Sequence, residues 1–414
     1  MDIAFDPVRC AELHNQLLAK AIAHIPGAAE EVVRGDVITR LLDVAPEWAD
    51  MDAPDEVPIY RFLSLLDSYR PLEVRLTPEF WQPVPAYFWN DLYQDLDSRD
   101  LILLYPDNTN TPIMDGGLFL NLDTNLVHWG RVNVHPLPPD ESWVPLELAL
   151  TKALDMWECG KFHCGPSPFS SEDTLSTRPW TERDLEDAVS AWDELLTAIR
   201  DRLPLPPDAP RPPIQDPLPS SLVEQFDLSP FAKAFLTTAK RPSFAYVAPG
   251  HLTTFTRQSF ADLYAAETPD APRRAQNANA AAADEYASLV LPATLAAVPE
   301  GAADPSFDKD HGHAKFTINR RAGLYTDPTM GLRDADSAWL LTAEGSAHPV
   351  RFVGQRPWGA PRGVRFAEMF SVWADWVRDG VWEVSIEGVA TTHAWFTDPA
   401  TAELRELQWT ETCR

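Results

Sequence analysis

The sequence LYPDNT at positions 104–109 returns as LYTDPT at positions 324–329, 220 residues further along the chain. Self-similarity at a fixed spacing is the signature of a repeated structural unit. The pattern predicts an internal duplication, with copies at residues 100–163 and 320–383 that form two equivalent lobes. The same offset, without a gap, pairs further identical residues: Leu120 with Leu340, His128 with His348, Arg131 with Arg351, Val144 with Val364, Asp155 with Asp375 and Gly160 with Gly380.

The first copy contains the pattern of a strand, a hairpin, a helix and a further strand. Apolar residues 101–105 predict the strand, and Asp123-Thr124-Asn125 predicts the turn of the hairpin. Pro145 is expected to begin the helix, because the first turn tolerates proline, and Gly160 is expected to end it at the position that favours glycine. This succession indicates the α+β class.

The second copy repeats this order with a hairpin at Glu344-Gly345, a helix from Arg365 and a helix end at Gly380. Extra helices are predicted outside the copies. Residues 8–45 have helical apolar spacing, broken at Pro26-Gly27, and Thr181 is a good N-cap for a long amphipathic helix. Further helices are predicted at residues 59–66 and in the alanine-rich residues 275–297.

A proline-rich stretch, LPLPPDAPRPPIQDPLPSS, occupies residues 203–221 and has eight prolines. Proline cannot continue a helix or a central strand, so the stretch is predicted to be an extended linker. The sequence therefore predicts an N-terminal lobe at 1–202, a linker at 203–221 and a C-terminal lobe at 222–414.

The chain of 414 residues has 62 acidic and 34 basic residues and a formal charge of −28. This charge disfavours broad binding to nucleic acid or anionic lipid and suits a cationic ligand or partner. Residues 315–365 depart from the average, with eight Lys or Arg against four acids. That stretch is the part of the chain where a phosphate-binding surface is expected.

The chain has no N-terminal signal peptide pattern and no apolar run of membrane-spanning length. Its four cysteines are expected to be reduced thiols, so the predicted location is the cytoplasm, without membrane association. The common nucleotide, hydrolase and zinc-protease motifs are absent, and no cofactor is predicted. The oligomeric state is left open.

Two clusters have metal-ligand chemistry. Cys159, His163 and Cys164 lack a second ligand pair downstream, and the second copy does not repeat them, so neither a zinc site nor a Cys159–Cys164 disulfide is expected. The cluster Asp308-Lys-Asp310-His311-Gly-His313 fits a solvated polar loop, with metal binding or proton transfer by a histidine as alternatives. The overall prediction is that the protein holds no metal.

The polar residues shared by the two copies are the candidates for catalysis. Imidazole, phenol and carboxylate groups at a cleft are suitable general acids and bases. A structural explanation is also open, since aspartates can satisfy nearby backbone groups. The candidate catalytic residues are Tyr105, His128, Asp155, Tyr325, His348 and Asp375.

Three segments resemble a fungal family of two-lobed proteins, the arginine-containing cyclodipeptide synthases of secondary metabolism. They are WVPLELALTKALDMWECGKFH (143–163), RPWTERDLEDAVSAWDELL (178–196) and RPWGAPRGVRFAEMFSVWADWVRDGVWEV (356–384). The resemblance implies an aminoacyltransferase that joins the arginyl group of an aminoacyl-tRNA to a second aminoacyl group and releases a diketopiperazine. Arg320, Arg321, Arg351 and Arg356 would then contact tRNA phosphates.

Two alternatives remain open. Hairpin-and-helix units with a Trp-rich helix also resemble the small α+β domains of fungal cell-wall-synthesis regulators and bacterial immunity proteins. Such a protein would be a non-catalytic module whose acidic surface binds a basic partner. The other alternative is an enzyme that binds a small molecule in a cleft between its lobes.

Overall fold

The structure is a computed structural model with mixed helices and small sheets of the α+β kind. It describes residues 5–44, 46, 57–70, 74–85, 88, 101–107, 116–131, 143–167, 170–266, 286–293, 315–316, 322–326, 334–342, 345–347, 349–353, 358–359 and 363–408. The chain divides into two compact units. The first comprises residues 1–177, 354–361 and 409–414, and the second comprises residues 178–353 and 362–408.

The first unit is built on a four-stranded antiparallel sheet in the order β3-β4-β5-β6. Strands β1 and β2 pair separately, as do β7 and β8, and helix α1 packs against α3 and α4. In chain order, the helices and strands are α1 (Pro7–Ile22), β1 (Val32–Arg34), α2 (Asp36–Val44), α3 (Pro58–Leu65), β2 (Asp67–Tyr69), β3 (Leu101–Pro106), β4 (Gly116–Asn121), β5 (Leu126–Arg131), β6 (Val144–Pro145), α4 (Leu146–Glu158), β7 (Phe162–Ser167) and β8 (Ser170–Thr177).

The second unit has a four-stranded antiparallel sheet in the order β12-β14-β15-β16. Its elements are α5 (Glu182–Arg202), β9 (Ile214–Gln215), α6 (Ser220–Val223), α7 (Pro230–Thr238), β10 (Arg241–Pro242), α8 (Arg257–Ala266), β11 (Tyr286–Ala287), β12 (Leu289–Pro292), β13 (Lys315–Phe316), β14 (Gly323–Thr326), β15 (Ala338–Thr342), β16 (Gly345–Ala347), β17 (Arg351–Val353), α9 (Phe366–Arg378), β18 (Val384–Ser385), β19 (Gly388–Val389) and β20 (Glu406–Gln408).

Helices α5 and α9 form the most extensive helix pair of the second unit. The N-terminus of α5 has a capping box, in which Thr181 Oγ1 accepts from the Asp184 N–H and the Asp184 carboxylate accepts from the Thr181 N–H. Apolar residues at helical spacing give α5 one buried face, and α9 buries Trp373 beside Trp382. Large aromatic side chains therefore make up much of this core.

A dense aromatic cluster lies at the end of α9 and in the segment that follows it. Trp376 contacts both Trp382 and Trp395, with ring centroids 5.3 and 5.7 Å apart. Trp373 lies 5.4 Å from Trp382 and 5.9 Å from Phe396. The five side chains are buried, so this cluster is part of the core and not a surface patch.

The segments 220 residues apart share local features. Helices α4 and α9 each have 13 residues, begin 220 positions apart, and are followed by Gly160 and Gly380 at φ values of 76° and 79°. Leu120 pairs with Val127 in the first hairpin, and Leu340 pairs with Ala347 at the corresponding positions of the second. The strand before each helix pairs differently, because Pro145 faces Leu126 whereas Arg365 faces Ser337.

Several sequence predictions of secondary structure are confirmed. The turn Asp123-Thr124-Asn125 joins β4 and β5, and Asn121 Oδ1 accepts from the N–H groups of Asp123 and Thr124. The long helix after Thr181 is present as α5. Helix α4 begins at Leu146, one residue after the predicted start, because Pro145 pairs in β6 and is its N-cap.

Two predictions of helix are wrong. Val32 and Val33 were expected in the second N-terminal helix, but they form β1 and pair with Tyr69 and Ser68. Residues 286–287 and 289–292, within the predicted alanine-rich helix, are strands, and Leu289 faces Tyr325. In both places the gain from strand pairing outweighs local helical spacing. Residues 275–285 lie outside the described residues.

The division of the chain also differs from the sequence prediction. The boundary between the units falls between Thr177 and Arg178, so α5 belongs to the second unit. The proline-rich stretch lies within that unit, where Ile214 and Gln215 pair with Pro242 and Arg241. Leu218 is buried, and its N–H donates to the Leu236 carbonyl.

Within the described ranges, the structure contains no helix that is both long enough and apolar enough to span a membrane.

Candidate functional site

Tyr105, a predicted catalytic residue, lies fully buried on β3. Its hydroxyl is 3.0 Å from His14 Nδ1, and His14 Nε2 is 3.1 Å from the Asp67 carbonyl oxygen. A carbonyl oxygen only accepts, so Nε2 carries the proton of the neutral ring and Nδ1 accepts from the tyrosine hydroxyl. The chain of hydrogen bonds therefore runs from Tyr105 through His14 and ends at a backbone carbonyl.

Burial determines the protonation states of this pair. It raises the pKa of the Tyr105 hydroxyl well above its usual value, and the nearby Cys10 adds to the rise. Burial also lowers the pKa of His14 to about 4, against the opposing effect of its hydrogen bond with Asp67. Both groups are thus neutral near pH 7, and their protons are engaged in internal hydrogen bonds. This arrangement ties α1 to β2 and β3.

Tyr325 and His128 are buried as well. Tyr325 lies on β14 with its ring 5.8 Å from the Trp339 ring, and His128 lies on β5 with its ring 5.5 Å from Trp143. His128 pairs with Phe119 across the sheet. The environment of both side chains is that of an aromatic core.

The two repeated aspartates lie on the helices. Asp155 is half-buried on α4, and Asp375 is exposed on α9, where its carboxylate is 2.7 Å from Arg378. The backbone carbonyls of both residues accept from the residue four positions on, Cys159 and Asp379 respectively. Both aspartates therefore lie in the last turn of a helix that ends at a glycine in the left-handed conformation.

The remaining predicted site residues are not all described. His348, Arg320, Arg321 and Arg356 lie outside the described residues, so their roles stay predictions. The backbone of Arg351 lies in β17 and pairs with Glu406 of β20.

A buried ion network at the N-termini of α5 and α9 was not predicted. Arg365 Nε lies 2.6 Å from Asp336 Oδ2, and the same guanidinium contacts Asp184. Desolvation would lower the pKa of Arg365, but the charges of Asp336, Asp184 and Glu368 outweigh it and raise that pKa. The sequence shows the Thr181–Asp184 cap but carries no signal for an arginine 181 positions away.

Surface cavities of the second unit lie along α5. One of about 620 Å³ is lined by Ser190, Asp193, Glu194, Thr197, Ala198, Asp201, Arg202 and Arg378. A neighbouring one of about 400 Å³ shares Asp193 and Thr197 and continues to Asp216 and Lys240. Each carboxylate of the first cavity has a basic partner, which is Lys240 for Asp193, Arg378 for Glu194 and Arg211 for Asp201. These cavities are therefore open grooves, and the carboxylates that line the first one are paired with basic side chains.

Three cysteines, Cys10, Cys159 and Cys164, are free thiols. Burial, with nearby Glu147 and Asp6, raises the pKa of Cys10 to about 12, so this thiol is not an activated nucleophile. Among the residues that the structure describes, no three His, Cys, Asp or Glu side chains are grouped to hold a metal ion. Asp308, Asp310, His311 and His313 lie outside that set.

No protein-family model, no curated protein and no solved structure matches the chain.

Proposed function

We propose that this protein is a non-catalytic acidic interaction module of the cytosol that binds a basic protein partner. The observation that carries the proposal is the position of the shared tyrosines. Tyr105 and Tyr325 are fully buried in the two sheets, and the Tyr105 hydroxyl is committed to His14. Packing in the core accounts for the presence of a tyrosine at both positions. We therefore place the function of the protein at its surface.

The charge of the chain supports the same proposal. A formal charge of −28 attracts basic partners and accelerates encounter with them. The surface cavities described along α5 are open grooves with paired charges, which suit a protein surface better than an enclosed substrate site.

We also infer that the two sheet-and-helix segments descend from a duplication. The equal lengths of α4 and α9, their spacing of 220 positions and the matching hairpin registers support this. An experimental structure tests it by superposition of residues 100–163 on 320–383 at that fixed offset. A different order of strands around the two helices would reject the duplication.

The rival proposal is the tRNA-dependent cyclodipeptide synthase that the sequence resemblance implies. It requires that cells expressing the protein accumulate a cyclic dipeptide containing arginine, and that ribonuclease treatment of the lysate stops its formation. Neutralising Arg320, Arg321, Arg351 and Arg356 would then flatten the salt dependence of tRNA binding by roughly one unit of slope for each lost phosphate contact.

One experiment separates the two proposals. Small molecules from expressing cells and from an empty host are compared by mass spectrometry, while the tagged protein is purified and its bound proteins are identified. The interaction module predicts an unchanged metabolite profile and a basic protein partner that dissociates as salt is raised. A Tyr325→Phe variant should still bind the same protein partner, because the buried hydroxyl is not part of the surface. A new arginine-containing cyclic dipeptide, lost in the same variant, would replace the module with the synthase.

A further inference from the structure

The hairpin formed by β18 and β19 has a two-residue tip, Ile386-Glu387, between the paired residues Ser385 and Gly388. The Ser385 hydroxyl organises this tip from within. It donates to the Gly388 carbonyl and accepts from the Glu387 N–H, both at 3.2 Å. Such side-chain bonds hold a tight turn in one conformation.

A neighbouring segment fixes the same tip from outside. The Tyr246 N–H donates to the Glu387 carbonyl at 2.8 Å, and the Val389 N–H donates to the Tyr246 carbonyl at 3.0 Å. Gly388 has a φ of 107°, and a Cβ atom there would lie 2.1 Å from the Tyr246 oxygen. The backbone of the tip is therefore bonded on both sides.

The side chains at this rigid tip combine an exposed apolar residue with exposed carboxylates. Ile386 is 66% exposed, the most exposed large apolar side chain among those described. Glu387 beside it is exposed, as is Glu383 at the start of the hairpin, and the half-buried Tyr246 ring lies 4.5 Å from the His251 ring. His251 adopts a positive φ of 58°, a conformation uncommon outside glycine. Because the backbone of the tip is already held in place, binding here orders only side chains and costs less entropy than ordering a loose loop.

We propose that this tip is the docking site of the protein partner. Ile386 inserts into an apolar pocket of the partner, and Glu383 and Glu387 pair with Lys or Arg at the rim of that pocket. The charge of the flanking residues selects a basic partner, and a buried anchor surrounded by a polar rim is the usual anatomy of a protein interface. This inference rests on the proposed interaction module and names its surface.

A peptide library tests the inference with the full-length protein. Random peptides displayed on phage are selected on the wild type, and the affinities of the enriched peptides are measured by fluorescence polarisation. Enriched peptides should combine apolar residues with Lys or Arg. Ile386→Ser should weaken them by roughly tenfold or more, and Glu387→Lys should weaken them and reduce their salt dependence.

The control is Leu404→Ser, which alters another exposed apolar side chain of the second unit and should leave the affinities unchanged. Thermal unfolding checks that the three variants are as stable as the wild type. Peptides that bind Ile386→Ser as tightly as the wild type would overturn this docking site while leaving the interaction module in place. Failure to enrich any peptide would count against both.

Discussion

At the scale of single residues, two sets of buried polar groups in this protein have partners far away in the sequence. Tyr105 and His14 are 91 positions apart, and Arg365 and Asp184 are 181 apart. A buried polar group without a hydrogen bond is costly, so each of these groups depends on its partner. Sequence patterns identified Tyr105 as unusual because it recurs at Tyr325, but they did not identify His14.

Acid should destabilise the first unit through His14. Its pKa is about 4 in the folded protein and near 6.5 in the unfolded chain, so below pH 6.5 the unfolded chain binds a proton that the folded chain does not. The free energy of unfolding should therefore fall as pH falls from 6.5 to 4, by about 3 kcal/mol in total. Urea unfolding at a series of pH values measures this.

A matched pair of variants isolates the effect. His14→Gln should flatten the pH dependence between pH 6.5 and 4, whereas His24→Gln, at an exposed histidine, should leave the wild-type slope unchanged. Identical slopes for the wild type and His14→Gln would show that another group is responsible.

Loss of the buried guanidinium should destabilise the second unit. Arg365→Met leaves Asp184 and Asp336 buried without their cation, for which a cost of roughly 3–5 kcal/mol is expected. Arg378→Met removes a surface arginine that pairs with Glu194 and Asp375, and it should cost about 1 kcal/mol or less. Chemical denaturation of the two variants checks the difference, and equal costs would contradict the structural role given to Arg365.

At the scale of helices and strands, glycines with positive φ determine where the chain can turn. Gly160 follows α4 with a φ of 76°, and a Cβ atom there would meet no atom within 4 Å. Gly117 in β4 has a φ of 142°, and its Cβ would lie 2.1 Å from the Tyr105 carbonyl oxygen. The first position requires only the backbone conformation of glycine, while the second also requires its small size.

Alanine substitutions should separate these two requirements. Gly160→Ala should destabilise the protein by about 1 kcal/mol, the cost of the left-handed conformation. Gly117→Ala should cost about 1–3 kcal/mol more, because β3 and β4 must separate to admit the methyl group. Thermal unfolding of both variants measures the difference, and similar melting temperatures would mean that the close approach at Gly117 is easily relieved.

Local patterns predicted most helices and strands but not their partners. Short-range rules predict the capping residue Thr181, the turn at Asp123-Thr124-Asn125 and the helix end at Gly160, and all three are present. Local spacing predicts a helix at Val32 and Val33, since it carries no information about their pairing with β2, about 35 positions away. Of the candidate site, the sequence predicted shared polar residues, but burial of Tyr105 and Tyr325 depends on tertiary packing.

At the scale of the whole molecule, the boundary between the two units depends on α5. The sequence places a linker at 203–221 because prolines interrupt every regular pattern there. In the structure α5 packs on α9, and the proline-rich stretch is bonded to the second unit through Gln215 and Leu218. Composition alone does not distinguish an extended linker from an extended segment that packs on a core.

Fragments test this boundary. A fragment of residues 178–408 keeps α5 and should unfold cooperatively, whereas a fragment of residues 222–408 loses the buried face of α5, including Trp192, and should lack fixed tertiary structure. Near-UV circular dichroism and thermal unfolding measure both. A cooperative unfolding transition in the shorter fragment would instead show that the boundary between the units lies in the proline-rich stretch, residues 203–221.

The aromatic cluster after α9 brings four of the chain's 15 tryptophans close together. Trp373, Trp376, Trp382 and Trp395 form a chain of rings with neighbouring centroids 5.3 to 6.4 Å apart. At such separations indole rings exchange excitation before they emit, so the four tryptophans behave as one coupled chromophore. Their emission is depolarised while α9 and the following segment stay packed, and it regains polarisation when they part. The anisotropy of tryptophan emission, compared between excitation within the band and excitation at its red edge, where this exchange fails, therefore reports the integrity of this core in the unlabelled chain.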